Sequence, residues 1–261
     1  MTTFYQPLGA SELLPRYAYL EALLPGRRVL EVGALGSTRG KSAAFLRAKG
    51  AKHVLALDAD PDLVEEVRRA WASDPDLSFR AGRVEDLGEE ERFDLILVAD
   101  AAPLVRVPST LDRVAKLLSA DGFLVLGLRH SAGVSLASLV SEEPREATPT
   151  FGELREALAA RFKCVEAATQ SAFVGYRLSP LAAGAVETSV DATLVGPEEC
   201  GYFLAICGQR PSGVLSGEAI VELPAAPLAV ASTRYQELAD RLRLAEDDLA
   251  AERARAQKKD G

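Results

Sequence analysis

The 261-residue sequence has few of the residues that build metal sites or disulfide frameworks. It contains three cysteines, Cys164, Cys200 and Cys207, with no C-x-x-C pair, and its two histidines are His53 and His130. This composition excludes a zinc site of the usual cysteine and histidine spacing, and we expect no metal. Three isolated thiols are typical of a reducing compartment, so the sequence predicts a cytoplasmic protein.

The sequence also lacks long apolar runs and long basic runs. No stretch reaches the roughly 18 apolar residues that a bilayer span requires, and residues 1–14 lack the basic and apolar parts of a secretion signal. The formal net charge is −8, and no basic block is longer than the pair at 258–259. We therefore expect neither a membrane nor a nucleic acid as a partner.

Short runs rich in valine, leucine and isoleucine alternate with segments of helical spacing, and 48% of the residues are hydrophobic. This alternation predicts an α/β domain with a buried parallel sheet and helices on both of its faces. The predicted strands are 28–33, 53–58, 77–82, 93–100, 122–128, 164–177 and 201–209. The predicted helices are 40–49, 61–72, 108–119 and 151–162, with a shorter turn near 86–91.

Composition divides the chain into four parts. We predict an N-terminal helical segment at 1–27, the sheet domain at 28–209, a linker rich in proline, glycine, serine and alanine at 210–232, and a helical stem at 233–261. Apolar residues spaced three and four apart in the stem are typical of a coiled-coil seam: Tyr235, Leu238, Leu242, Ala245 and Leu249. The stem predicts a homodimer or a partner helix, and the alternative is an amphipathic helix that folds back on the domain.

The first strand leads into a glycine-bearing loop at 34–39 and then into a helix that opens at Gly40. This arrangement lets backbone N–H groups and a helix N-terminus approach an anionic group closely. The loop is therefore a candidate cofactor site.

The order of these elements resembles the class I S-adenosylmethionine-dependent methyltransferases over residues 28–209. In that family the first strand ends in an acidic residue followed by Gly-x-Gly-x-Gly, and Glu31 and Gly33 match this start. Leu35 and Ser37 occupy the next two glycine positions, whereas Gly36 is off register and Gly40 is left as the closing glycine of a longer loop. The resemblance implies a Rossmann-type methyltransferase sheet, mostly parallel with an antiparallel last strand, and a C-terminal coiled-coil helix follows it.

The resemblance also implies where S-adenosylmethionine binds. Asp58, which ends the second strand, corresponds to the acid that accepts hydrogen bonds from both ribose hydroxyls. Arg83 stands where the family usually carries the adenine-binding aspartate, so Glu85 or Asp86 would have to replace it. The pair Arg16 and Tyr17 resembles a segment that covers the methionine end of the cofactor in some relatives.

Two residues at the predicted acceptor edge are candidate catalytic bases, Asp100 after the fourth strand and His130 after the fifth. An acceptor loses a proton during methyl transfer, and either side chain has the chemistry to take it. Residues 100–103 read Asp-Ala-Ala-Pro, which differs from the motif associated with nucleobase amines. The acceptor is then a small molecule, a glycan or a protein side chain.

Other interpretations use the same residues. Residues 35–42 differ from the phosphate-binding G-x-x-x-x-G-K-[ST] loop only at the first position, which suggests a P-loop NTPase-like module. A nicotinamide-binding domain also has a glycine loop followed by an acid. The broken glycine pattern is compatible with an inactive scaffold that acts through its stem. Individually, Glu31 and Asp58 could be helix caps and His130 a surface histidine.

Overall fold

The computed structural model describes residues 10–136, 147–173, 193, 199–223, 237–238 and 241–245. Within these residues, no helix is both long and apolar enough to cross a membrane.

A seven-stranded sheet forms the centre of the domain, with the strand order β3-β2-β1-β4-β5-β7-β6. Strands β1 to β5 are parallel, and β7 lies antiparallel between β5 and β6. This order confirms the Rossmann-type methyltransferase sheet with an antiparallel last strand. The strands are β1 (Arg28–Val32), β2 (His53–Asp58), β3 (Leu77–Ala81), β4 (Phe93–Val98), β5 (Leu118–Arg129), β6 (Cys164–Gln170) and β7 (Tyr202–Gly208).

Helices cover both faces of the sheet. Those of the described residues are α1 (Ala10–Tyr19), α2 (Leu35–Thr38), α3 (Lys41–Ala48), α4 (Pro61–Ala70), α5 (Ala102–Arg106), α6 (Pro108–Leu117) and α7 (Phe151–Ala159). The first four contribute to the buried apolar cluster on one face, and the last three contribute to the cluster on the other. Because successive side chains of a strand point to opposite faces, both faces need apolar residues, which explains the nearly continuous hydrophobic runs.

The structure differs from the sequence prediction around three elements. Residues 35–38 form the short helix α2 and not a loop, and α5 was not predicted at all. Helix α6 ends at Leu117, and β5 begins at once with Leu118, whose partner is Phe93. Residues 174–177 of the predicted sixth strand lie outside the described residues.

The stem is described only in part. Residues 237–238 and 241–245 are helical, and Leu238 and Leu242 are 63% and 62% exposed. Tyr235 and Leu249, the outer positions of the predicted seam, lie outside the described residues. The coiled coil therefore stays a prediction.

Candidate cofactor and acceptor site

The sheet brings the predicted acids together along one edge. Strand β1 lies parallel between β2 and β4, so the carboxyl ends of these strands meet at the same edge of the sheet. Glu31, Asp58 and Asp100 each lie at or just beyond the end of one of these strands, and His130 follows the neighbouring β5. Open parallel sheets bind ligands at this carboxyl edge.

Glu31 is the unusual member of this row because its carboxylate is 1% exposed. Neither oxygen has a hydrogen-bond partner among the described residues. Burial raises the pKa of Glu31 to about 7, and the hydroxyls of Ser42 and Tyr17, which face the carboxylate without reaching good hydrogen-bond geometry, lower it in part. The suggestion that Glu31 caps the next helix is wrong, since Ala34 is the N-cap of α2 and Gly40 is the N-cap of α3. A buried carboxylate without a partner indicates a functional position.

Tyr17 and Arg16 of α1 pack over the same region. The Tyr17 hydroxyl is buried without a hydrogen-bond partner in the described chain, and burial together with the charge of Glu31 raises its pKa well above the ordinary value. The Arg16 guanidinium is buried, and Nη1 donates to the carbonyl of Ala99 at 3.1 Å while Nε donates to Oε1 of Gln170 at 3.2 Å. Helix α1 thus closes over the ends of β1, β4 and β6. The role of Arg16 and Tyr17 in covering the methionine end of a cofactor stays a prediction.

The three predicted glycines have different environments. Gly33 has a φ of +74° and Gly36 lies in α2, and a side chain at either position would meet no atom within 4 Å. Gly40 has a φ of +79°, and a methyl group there would collide with Val67 of α4 and with Trp71, the residue that follows this helix. The requirement for glycine at position 40 therefore comes from helix packing. Gly33 is the position that leaves open space beside the edge.

Asp58 is half-buried at the end of β2, and its Oδ1 accepts a hydrogen bond from the Asp60 N–H at 3.1 Å. The N-cap of α4 is Asp60, whose Oδ1 accepts from two backbone N–H groups. The suggestion that Asp58 caps this helix is therefore wrong. Asp58 retains an oxygen at the carboxyl edge without a capping role.

Glu85 and Asp86 are committed in part to protein contacts. Glu85 accepts a hydrogen bond from the Thr110 hydroxyl on α6, and Asp86 accepts one from the Arg83 N–H at 2.8 Å, which closes the 3-10 turn after β3. Only the remaining oxygen of each carboxylate is left for a ligand. Their contact with an adenine stays a prediction.

The two candidate bases differ in the partners that the structure gives them. Asp100 is exposed, and its Oδ1 accepts a hydrogen bond from the Ala102 N–H at 2.9 Å at the start of α5. The Nδ1 atom of His130 lies 3.1 Å from the carbonyl oxygen of Cys200 and 3.9 Å from Oε2 of Glu199. His130 is therefore not an unpartnered surface histidine. Sequence reasoning missed Cys200 and Glu199 because they lie about 70 positions away.

The structure does not favour the P-loop interpretation. The segment that would wrap a phosphate is helix α2, and the Ser42 hydroxyl, which would bind magnesium, is fully buried and lies 2.8 Å from the Thr38 hydroxyl. A P-loop needs this hydroxyl at an open phosphate site.

The comparisons with known proteins agree with the fold. A family model described as a methyltransferase domain matches residues 29–122. Residues 29–122 are therefore similar to a methyltransferase domain. The match covers the part of this chain that carries Glu31, Gly33, Asp58 and Asp100, whereas Arg16 and His130 lie outside it.

Curated relatives match part of the chain in sequence, and a solved structure matches it in fold. Ubiquinone biosynthesis O-methyltransferases from three strains of Xanthomonas campestris pv. campestris are 33% identical to this chain over 132 residues. That match covers 48% of this chain and 54% of each relative, so the chain spans about half the length of the curated relatives it matches. A chain of the complex between the Haloferax volcanii Trm112 methyltransferase activator and its methyltransferase has the same fold, with a TM-score of 0.50 at 19% identity, over 77% of this chain and 90% of that one.

Proposed function

We propose that this chain binds S-adenosylmethionine at the carboxyl edge of its sheet and transfers the methyl group to a small molecule, a glycan or a protein. The observation that carries the proposal is the buried, unpartnered carboxylate of Glu31 within the matched methyltransferase domain. A carboxylate that is left without a partner in the interior favours a cationic ligand. Bound S-adenosylmethionine supplies such a cation together with an electrophilic methyl group.

The residues of the edge fit the parts of this cofactor. Glu31, Tyr17 and Arg16 would hold the methionine end, where polar atoms of the first two lack partners within the described chain. Gly33 would let the backbone approach the cofactor closely, since the space beside it is open. Asp58 would accept hydrogen bonds from the ribose hydroxyls with its carboxylate. The chain then contributes binding, alignment and exclusion of water, which supply most of the acceleration in such a transfer.

The net charge of the chain and the names of its curated relatives narrow the chemical class of the acceptor. A net charge of −8 disfavours a nucleic acid, whose phosphates attract basic surfaces. The curated relatives are named for methyl transfer in ubiquinone biosynthesis, which supports a small-molecule acceptor among the three classes. The cytoplasm is the proposed location, and the three free thiols support it.

Calorimetry of cofactor binding tests the proposal. We expect S-adenosylmethionine to bind with a Kd on the order of micromolar. The Asp58→Ala substitution should weaken binding roughly 10- to 100-fold, because the hydrogen bonds from the ribose to a charged acceptor are lost. The matched control is Asp121→Ala, which removes an exposed carboxylate near the start of β5 and should leave the Kd unchanged.

Two other ligands separate the alternatives. Binding of ATP–magnesium in place of S-adenosylmethionine would support the P-loop interpretation, and binding of NAD would support a nicotinamide site. A chain that folds and binds none of the three ligands would be a scaffold, and the proposal would be wrong.

A further inference from the structure

Two backbone segments, residues 130–134 and 199–201, pack closely against each other at the carboxyl edge of the sheet. We call these two segments the glycine clasp. The His130 N–H donates to the carbonyl of Gly201 at 2.9 Å, and the Gly133 N–H donates to the carbonyl of His130 at 3.1 Å. A methyl group at Gly133 would overlap the carbonyl of Cys200, and one at Gly201 would overlap the carbonyl of Val134. The two backbones therefore approach as closely as they do only because both positions are glycine.

The clasp determines which ring nitrogen of His130 carries the proton. The Nδ1 atom lies 3.1 Å from the carbonyl oxygen of Cys200, which can only accept a hydrogen bond. Nδ1 must therefore be protonated, and the neutral ring keeps its free electron pair on Nε2. The ring also packs against Phe203, with ring centroids 5.0 Å apart, and Phe203 stacks on Phe151 at 4.7 Å. Within the described residues, these contacts orient the ring and leave Nε2 without a hydrogen bond.

Asp100 is the less available of the two candidate bases in this geometry. One of its oxygens is committed to the Ala102 N–H at the start of α5. The Glu199 carboxylate, whose side chain is 69% exposed, lies 3.9 Å from Nδ1 of His130. His130 thus has an orienting acceptor and a nearby anion, the two features that a proton acceptor needs.

We propose that the glycine clasp presents Nε2 of His130 as the general base for an acceptor that carries a hydroxyl group. The inference rests on the proposed function. In this step the acceptor O–H bond breaks and Nε2 takes the proton. The oxygen electron pair forms the new O–CH₃ bond, and the S–CH₃ bond of the sulfonium donor breaks with its electrons passing to sulfur. A hydroxyl needs such a base because it is a weak nucleophile while protonated, whereas a neutral amine already carries a free electron pair.

The tautomer of His130 is measured directly by nitrogen NMR of the full chain with ¹⁵N-labelled histidine under mildly alkaline conditions. The sequence has two histidines, so a His130→Gln variant identifies the signals of His53. We expect His130 to be protonated at Nδ1 and unprotonated at Nε2. A ring that carries its proton on Nε2 overturns the inference whatever the activity measurements show.

Substitutions in the clasp test the cause of this tautomer. Gly133→Ala displaces the Cys200 carbonyl and should yield a measurable population with the proton on Nε2. Cys200→Ala is the matched control, because it removes the thiol and keeps the carbonyl, and its spectrum should be unchanged. Gly217→Ala controls for a general glycine effect, since a side chain there meets no atom within 4 Å. An altered tautomer in either control, or none in folded Gly133→Ala, contradicts the assigned role of the clasp.

Transfer assays with labelled S-adenosylmethionine test the acceptor class, with catechol as the hydroxyl probe and o-phenylenediamine as the matched amine probe. His130→Gln should reduce kcat for catechol roughly 100-fold or more while the Kd of the cofactor stays the same. Methylation of the diamine alone, or of catechol by His130→Gln at the original rate, contradicts the inference. If neither probe is methylated, the NMR measurement tests the inference: a proton on Nδ1 of His130 supports it, and a proton on Nε2 overturns it. If the unsubstituted chain does not bind S-adenosylmethionine, the proposed function is wrong. The measured tautomer of His130 is unaffected by that result.

Discussion

At the scale of single residues, the site depends on polar groups that the protein itself does not satisfy. Glu31 and Tyr17 are both buried, and their side-chain oxygens lack hydrogen-bond partners in the described part of the chain. A native interior rarely retains such groups, because each one lowers the free energy of unfolding unless a partner compensates for its burial. The position matches the family acid at the end of the first strand, so the chain tolerates this cost at the proposed cofactor site.

The Glu31 carboxyl should make stability depend on pH. Its pKa rises from 4.5 when exposed to about 7 in the folded chain. The folded state therefore binds the proton more tightly, and its stability falls as the pH rises from the lower value to the higher one. A shift of this size corresponds to about 3 kcal/mol in the free energy of unfolding.

Urea unfolding of the native chain and of Glu31→Gln, each followed across this pH range, measures the effect. The substituted chain should lack the loss of stability with rising pH and should be the more stable of the two in alkaline solution. Parallel pH profiles of the two chains would show that Glu31 is ionised throughout in the folded state.

At the scale of elements, the short helix α2 replaces the extended glycine loop that the resemblance implied. Leu35, which occupies a glycine position of the family pattern, is fully buried in the apolar core. The chain then reverses through two residues with positive φ, Arg39 and Gly40, before α3 begins. The departure from the glycine pattern is thus compensated by packing, and Gly33 remains free at the edge.

The two glycines of this region should respond oppositely to alanine. Gly40→Ala should destabilise the fold by roughly 2 kcal/mol or more, because the residue has positive φ and its new methyl group meets Trp71 and Val67. Gly36→Ala should leave stability unchanged or raise it by about 0.5 kcal/mol, since the position is helical and open. Thermal unfolding of both variants checks the difference. Equal losses of stability would show that α2 is not packed as described.

At the scale of the whole molecule, the α/β domain and the stem have separate proposed roles, the domain in cofactor binding and the stem in assembly. The sheet carries every candidate site residue or lies directly beneath it, whereas Leu238 and Leu242 of the stem are largely exposed. Exposed leucines four positions apart in the sequence favour a partner that covers them. The proposed partner is a second copy of the stem.

Truncation after Ser232 should convert a dimer into a monomer while cofactor affinity stays the same. Light scattering of the full chain and of the truncated chain gives the two masses, and calorimetry gives the affinities. If both chains have the mass of one copy, the stem does not drive assembly. The result separates assembly from the proposed catalytic function.

The sequence by itself determined the strands, the principal helices and the placement of acids at strand ends, because these depend on local apolar patterns and on chain order. Only the tertiary structure decided that Ser42 and Tyr17 face Glu31, that Arg16 reaches Gln170, and that the carbonyl of Cys200 holds His130. The last two contacts join residues 154 and 70 positions apart. Such pairings follow from how helices and strands pack together, and no local pattern in the chain encodes them.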